Sequence, residues 1–445
     1  MENKNPIQTL TANTTTRKSI LPGMSSIWIM VAAFLCYTGM YAVRKSFLAG
    51  QYQDLDIGFG MDPKTLLVIS QVLGYMLSKF VGIKIISEMP PKRRVYWLLG
   101  LVGLGLFMLG LFAIVPPKWK IVTLFFNGLP LGMVFGVVFS YLEGRRNTEL
   151  LAAALSATFI FSTGLVKTVG VLLIQNYGVG EYAMPFVTGL LFLPIFMISV
   201  WMLNKSKVPD ELDREERTER TTMDVTKRKD FMKKHGIGFA GLVVIYILLT
   251  IVRDFRDNFI VEFWEELGYG REPELITLTE IPVAIIVLII AALGILIRKN
   301  RLAFNLGMYM IGFGALVILL STLLFEKSLI SPVMWMISTG VGVYLPYILF
   351  HCLLFERLIA FLKYQGNVGF LFYTADALGY LGSVTVLMLK EVVGYNTSWV
   401  DFFIDINIKV AVPIMILVFL VLFYFSRSAS PQVAPVASKQ SLNDY

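Results

Sequence analysis

Apolar residues along this chain fall in runs of about twenty, long enough to cross a hydrocarbon layer as helices, with short polar hinges between them. Twelve such runs are legible, at about 25–48, 64–86, 95–115, 119–142, 151–174, 183–203, 237–261, 276–297, 302–325, 332–355, 366–389 and 408–426. One large soluble core would not be cut into runs of this length. The predicted fold class is therefore an all-α membrane protein of twelve transmembrane helices. The longest interruption, 204–236, is rich in charge: Asp213-Arg214-Glu215-Glu216-Arg217, then Lys227-Arg228-Lys229. It has no apolar periodicity that could bury a core and reads as a solvated linker. It divides the chain into six-helix halves at 25–203 and 237–426, flanked by polar tails at 1–24 and 427–445.

Composition agrees with this pattern. Of 445 residues 56% are hydrophobic and 16% charged, where a soluble domain carries about 25% charged residues; the mean hydropathy is +0.69. The net charge of +8 does not point to nucleic acid, because Lys and Arg of membrane proteins collect in cytoplasmic loops. Basic residues mark one side: Arg17 and Lys18, then Lys92-Arg93-Arg94, Arg145-Arg146, and Arg298, Lys299 and Arg301. Acidic residues mark the other: Asp54, Asp56 and Asp62, then Glu262, Glu265, Glu266, Glu272 and Glu274. The alternation predicts both termini in the cytoplasm. Cys36 and Cys352 lie inside apolar runs and read as buried filler without a disulfide framework. The first 24 residues are polar and lack the apolar core of a cleavable signal. No phosphate-binding glycine loop, metal-ligand spacing or nucleophile elbow is found, so neither a cofactor nor an ATP-driven pump or enzyme is expected.

Charge inside the apolar runs is the candidate chemistry. Tyr37, Tyr41 and Arg44 are spaced i, i+4, i+7, which puts two phenols and a guanidinium on one helix face. An ionised side chain near the middle of a span costs about 2.5 kcal/mol or more and marks a functional site by default. The second half echoes the first. Val43-Arg44 follows Tyr37 as Val252-Arg253 follows Tyr246, at an offset of 253 − 44 = 209. Ser162 with Val169-Gly170 matches Thr374 with Leu381-Gly382, at an offset of 374 − 162 = 212. A duplicated six-helix unit is the major facilitator arrangement, two pseudo-symmetric halves with a site at the midplane between them.

Two motifs carry a closer resemblance. Val43-Arg44-Lys45-Ser46-Phe47 and Gly74-Tyr75-Met76-Leu77-Ser78-Lys79-Phe80, with Arg44 and Lys79 35 residues apart (79 − 44), resemble the first two spans of the organophosphate:phosphate antiporter family. The resemblance covers roughly residues 30–90 and is thin over span seven. It implies a bacterial inner-membrane carrier that exchanges a phosphorylated metabolite for inorganic phosphate. It further implies that Arg44 and Arg253 form the phosphate site, with Tyr37, Tyr41, Tyr75 and Lys79 at motif positions beside them. The sequence departs from that family in lacking a span-five histidine, in Thr250 where a tyrosine is expected, and in placing Glu280 immediately before Ile281-Pro282. Some family members report ligand to a signalling partner, so a transport-like sensor is a further reading.

Other readings stand beside these. A straight helix from Ser25 puts Arg44 about 28 Å along, near a membrane edge, where it could snorkel to the interface. Lys79 falls mid-span, so one of the two helices must be tilted, broken or differently bounded. Lys167 is either a second anion contact or a structural partner for Asp376. Arg256 is a further site residue or pairs with a neighbouring aspartate. Asp376 and Glu280 are candidates for proton coupling, which would give a proton-coupled organic-anion carrier, or else neutralise arginines. His351 is a proton relay or a packing histidine. Gly128 and Gly132 read as close helix packing. The expected partners are an anionic small molecule, inorganic phosphate and the lipid bilayer, with the chain as a monomer.

Overall fold

A computed structural model of the chain describes residues 24–428, apart from positions 57, 59, 88, 143–144, 146–147, 207–224, 365–367 and 393–396. The expected tails at 1–23 and 429–445, most of the linker, and Arg17, Lys18 and Arg146 lie outside the described residues. Among the described residues, twelve helices are long and apolar enough to span a membrane. Spans one to six are Met24–Ala49, Pro63–Gly82, Pro91–Ile114, Pro117–Leu142, Leu150–Tyr177 and Met184–Asn204. Spans seven to twelve are Thr226–Asn258, Glu274–Ile295, Asn300–Glu326, Pro332–Phe361, Gly369–Glu391 and Trp399–Arg427. Among the described residues there is no strand.

Two edges differ from the expected ones for the same reason. Span seven begins at Thr226, inside the stretch expected as linker, and span twelve begins at Trp399 instead of about 408. In both places charged residues alternate with rings that the fold buries. Phe231 packs at 5.2 Å from Tyr364 and 5.8 Å from Phe239. Trp399 stacks on Phe259 at 4.1 Å, and Phe402 lies 4.9 Å from Phe255. These turns are amphipathic, so their apolar face is invisible to a search for unbroken runs.

With an even number of spans, Met24 and Arg427 lie on one side, here the termini side; the opposite side is the far face. Within each half, span two packs closely on span four and span nine on span ten. A methyl group at Gly128 would overlap the Gln71 carbonyl oxygen, and one at Gly132 would overlap Ser78, so both glycines set the approach of spans two and four. The halves meet where span two lies on span eleven and span five on span eight. Two helices at this interface are irregular. Span five is interrupted at Ala157. Span ten carries Pro346 and then a wide π-type turn, Phe350–Leu354, a break of the kind often found at functional sites. Cys36 and Cys352 are buried, and among the described residues neither is in a disulfide.

Candidate functional site

The last turn of span one leaves carbonyls without intrahelical donors, and two buried amides claim them. Gln71 donates through Nε2 to the Arg44 carbonyl at 2.6 Å and to Asn127 Oδ1 at 2.7 Å. Asn127 donates through Nδ2 to the carbonyls of Val43 at 3.2 Å and Gly105 at 2.9 Å. Spans two and four thereby hold the backbone from which Arg44 projects. A helical side chain leans toward the start of its own helix, so Arg44 dips from the far face toward the middle. Its guanidinium carbon sits 3.4 Å from the centre of the Tyr75 ring. At 3% exposure it does not snorkel.

Span two runs the opposite way, so Lys79 leans toward the far face and toward Arg44. This lean reconciles the two depths. The Lys79 ammonium lies 4.9 Å from the same Tyr75 ring. It also reaches across the halves to Asp376 of span eleven at 3.3 Å, whose other oxygen accepts a hydrogen bond from the Tyr246 hydroxyl at 2.9 Å.

Arg253 repeats the position of Arg44, five residues before the end of its span (258 − 253 and 49 − 44). Its surroundings do not repeat. Its Nε donates to Asp254 at 3.0 Å, and the two form an ion pair. Its guanidinium carbon lies 4.0 Å from the Tyr347 ring centre and 5.5 Å from that of Tyr380. Arg44, by contrast, has no ion pair among the described residues, and its buried Nε has no hydrogen-bond partner.

One cavity between the halves is lined by Tyr37, Tyr41, Tyr75, Lys79, Arg253, His351 and Asp376 of the expected set. Phe135, Phe159, Tyr347, Phe372 and Tyr380 complete its wall and were not singled out from the sequence. Arg44 stands behind the Tyr75 ring. The free space between these side chains is about 20 Å³, room for about one water molecule. Tyr37 and Tyr41 meet edge-on at 5.1 Å. The His351 ring, in the wide turn of span ten, lies 4.7 Å from Phe372 and 5.4 Å from Phe159, with Nδ1 2.9 Å from the Tyr347 carbonyl oxygen.

A second cluster seals the far face, and it absorbs residues expected at the site. Asp257, one turn beyond Arg253, pairs with Lys45 at 2.8 Å and Lys167 at 2.5 Å, both from the other half. Lys45 also donates to Asn258 at 2.9 Å. Lys64 pairs with Glu262, and Gln51 donates to Glu265. The expected pairing of Lys167 with Asp376 does not form, because Lys167 faces the end of span seven while Asp376 faces span two. Arg256 does not pair with a neighbouring aspartate; it pairs with Glu280 at 2.6 Å and donates to the Met336 carbonyl at 3.0 Å. Neither Arg256 nor Glu280 lines the central cavity. The far-face pairs were not anticipated. Their trace in the sequence is a charge near several span ends, with Lys167 inside span five.

Residues 46–428 match the model of DUF5690, a family of unknown function. The chain belongs to this family. No curated protein matches the sequence. Among solved structures, the nucleoside transporter NupG is 12% identical with a TM-score of 0.58, the likeness covering 90% of this chain and 100% of that one. A bacterial homologue of the human lysosomal transporter Spinster, in an inward-facing unoccupied conformation, is 11% identical with a TM-score of 0.58, covering 93% and 100%. The human organic anion transporter MFSD10 is 13% identical with a TM-score of 0.53, covering 89% and 98%. At such identities the likeness is one of fold. This DUF5690 chain has the major facilitator fold, two pseudo-symmetric six-helix halves, and is an integral multi-pass membrane protein.

Proposed function

We propose that this DUF5690 protein is a secondary transporter, not an enzyme, that moves a small organic anion by alternating access. Its cargo is a phosphorylated metabolite exchanged for inorganic phosphate. The observation that carries the proposal is the convergence of Arg44, Lys79 and Arg253, from spans one, two and seven, around one ring-walled cavity between the halves. A phosphate group needs several charge-assisted donors in a water-poor site, and a guanidinium matches its oxygens two at a time. Cations from both halves let one anion bridge them. Binding then offsets the cost of parting Lys79 from Asp376 and lowers the barrier to rocking. On this reading the termini are cytoplasmic, on the positive side of the loop pattern, the membrane is a bacterial inner membrane with the far face external, and the chain acts as a monomer.

Counterflow tests this. Proteoliposomes loaded with inorganic phosphate take up labelled phosphate and phosphate esters faster than unloaded ones. Equal rates with and without internal phosphate, across a panel of esters, overturn the exchange. A second reading is a proton-coupled anion carrier working through Asp376, favoured by its place between Lys79 and Tyr246 at the meeting of the halves. Uptake into unloaded vesicles that follows an imposed pH gradient and is lost in Asp376→Asn would select it.

A further inference from the structure

On the termini side of the second half, a groove of about 390 Å³ opens on the outer wall between the start of span nine and the end of span twelve. Its mouth carries Arg301, Asn305 and Ser426. Arg427 follows Ser426, with its guanidinium carbon 4.1 Å over the ring of Phe423, another lining residue. Neither arginine has an ion pair among the described residues. Arg301 rests instead 5.7 Å over the Phe361 ring. The back of the groove is firm, because Phe304 packs on Phe361 at 6.1 Å and on Phe425 at 5.5 Å.

The groove is polar only at one end. Tyr309 and Phe419 lie eight residues deeper than the two arginines (309 − 301 and 427 − 419), about 12 Å along a helix. They are 56% and 69% exposed, so they face the hydrocarbon and not the protein core. Two uncompensated cations at the membrane boundary, above an apolar wall that runs inward, match the layout of one molecule type: an anionic headgroup with acyl chains below it. A soluble anion would leave the apolar wall unused, and a zwitterionic lipid would leave the charge unanswered.

We propose that this groove holds one anionic phospholipid, its phosphate at Arg301 and Arg427 and an acyl chain against Tyr309, Phe419 and Phe423. Basic side chains near the boundary attract such headgroups, and basic pockets between spans hold them. The site is separate from the central cavity and does not depend on what that cavity transports.

Native mass spectrometry of the full chain in mild detergent tests it, with phosphatidylglycerol and phosphatidylcholine of matched acyl chains as the probes. The unaltered protein retains one phosphatidylglycerol in preference to phosphatidylcholine. In R301Q/R427Q that retention weakens about thirtyfold, while the melting temperature in detergent without added lipid is unchanged. R298Q/K299Q, which removes the same charge from the same boundary outside the groove, keeps the preference. An undiminished preference in R301Q/R427Q overturns the site, and so does an equal loss in R298Q/K299Q.

Discussion

Arg44 and Arg253 hold equivalent places in the two halves and are kept in check by opposite means. Arg253 stands on the cavity wall with its charge already answered by Asp254. Arg44 has no carboxylate partner among the described residues, yet a phenol ring covers it. On the proposed function, an arriving anion would compete with a carboxylate in one half and displace a ring in the other. A ring gives a guanidinium about 0.5–2 kcal/mol, less than a bidentate anion offers. The larger share of cargo binding is therefore expected from Arg44.

Several measurements can break or sharpen this contrast. The largest effect is expected from Arg44→Lys, which removes the bidentate fork from the uncompensated site. Exchange in proteoliposomes should fall by roughly a hundredfold in kcat/KM, about 2–3 kcal/mol, against about tenfold for Arg253→Lys. Equal losses would mean that Asp254 does not hold Arg253 back. Next comes Gln71→Leu, which orphans the Arg44 carbonyl and should cost about 1–3 kcal/mol of stability, read as a lower melting temperature in detergent. Asp254→Asn acts in the other direction. Freed of its partner, Arg253 should bind the anion better, with KM falling about fivefold, or about 1 kcal/mol; an unchanged KM would show that Arg253 does not face the cargo. Smallest is Lys45→Gln on the far face. Lys167 still answers Asp257 there, so exchange should stay within about threefold of normal, and a near-complete loss would show that Lys45 touches cargo.

The twelve spans were legible because a bilayer demands unbroken apolar length. The largest differences were at 226–236 and 399–407, where inward-packing rings such as Phe231 and Trp399 alternate with charges. Arg44, Lys79 and Arg253 announced themselves as charges inside apolar runs. The rest of the cage did not: Phe159, Tyr347 and Tyr380 read the same whether a ring faces lipid, core or cargo. The far-face pairs were closed to sequence reading for a different reason. Lys45 and Asp257 are 212 residues apart (257 − 45), and no local period reports which lysine meets which carboxylate.

The charges around the cavity can also be summed. Arg44, Lys79 and Arg253 bring three positive charges, and Asp254 and Asp376 two negative ones, leaving a surplus of one. On the transporter reading proposed above, a cargo with a single negative charge would bring the site to neutrality, and its loaded passage would carry no net charge through the field. A second negative charge on the same cargo must be carried through the field, at about 2.3 kcal/mol for every 100 mV. On the transporter reading, the ionised Asp376 carboxylate thus makes the membrane voltage discriminate among the protonation states of the cargo.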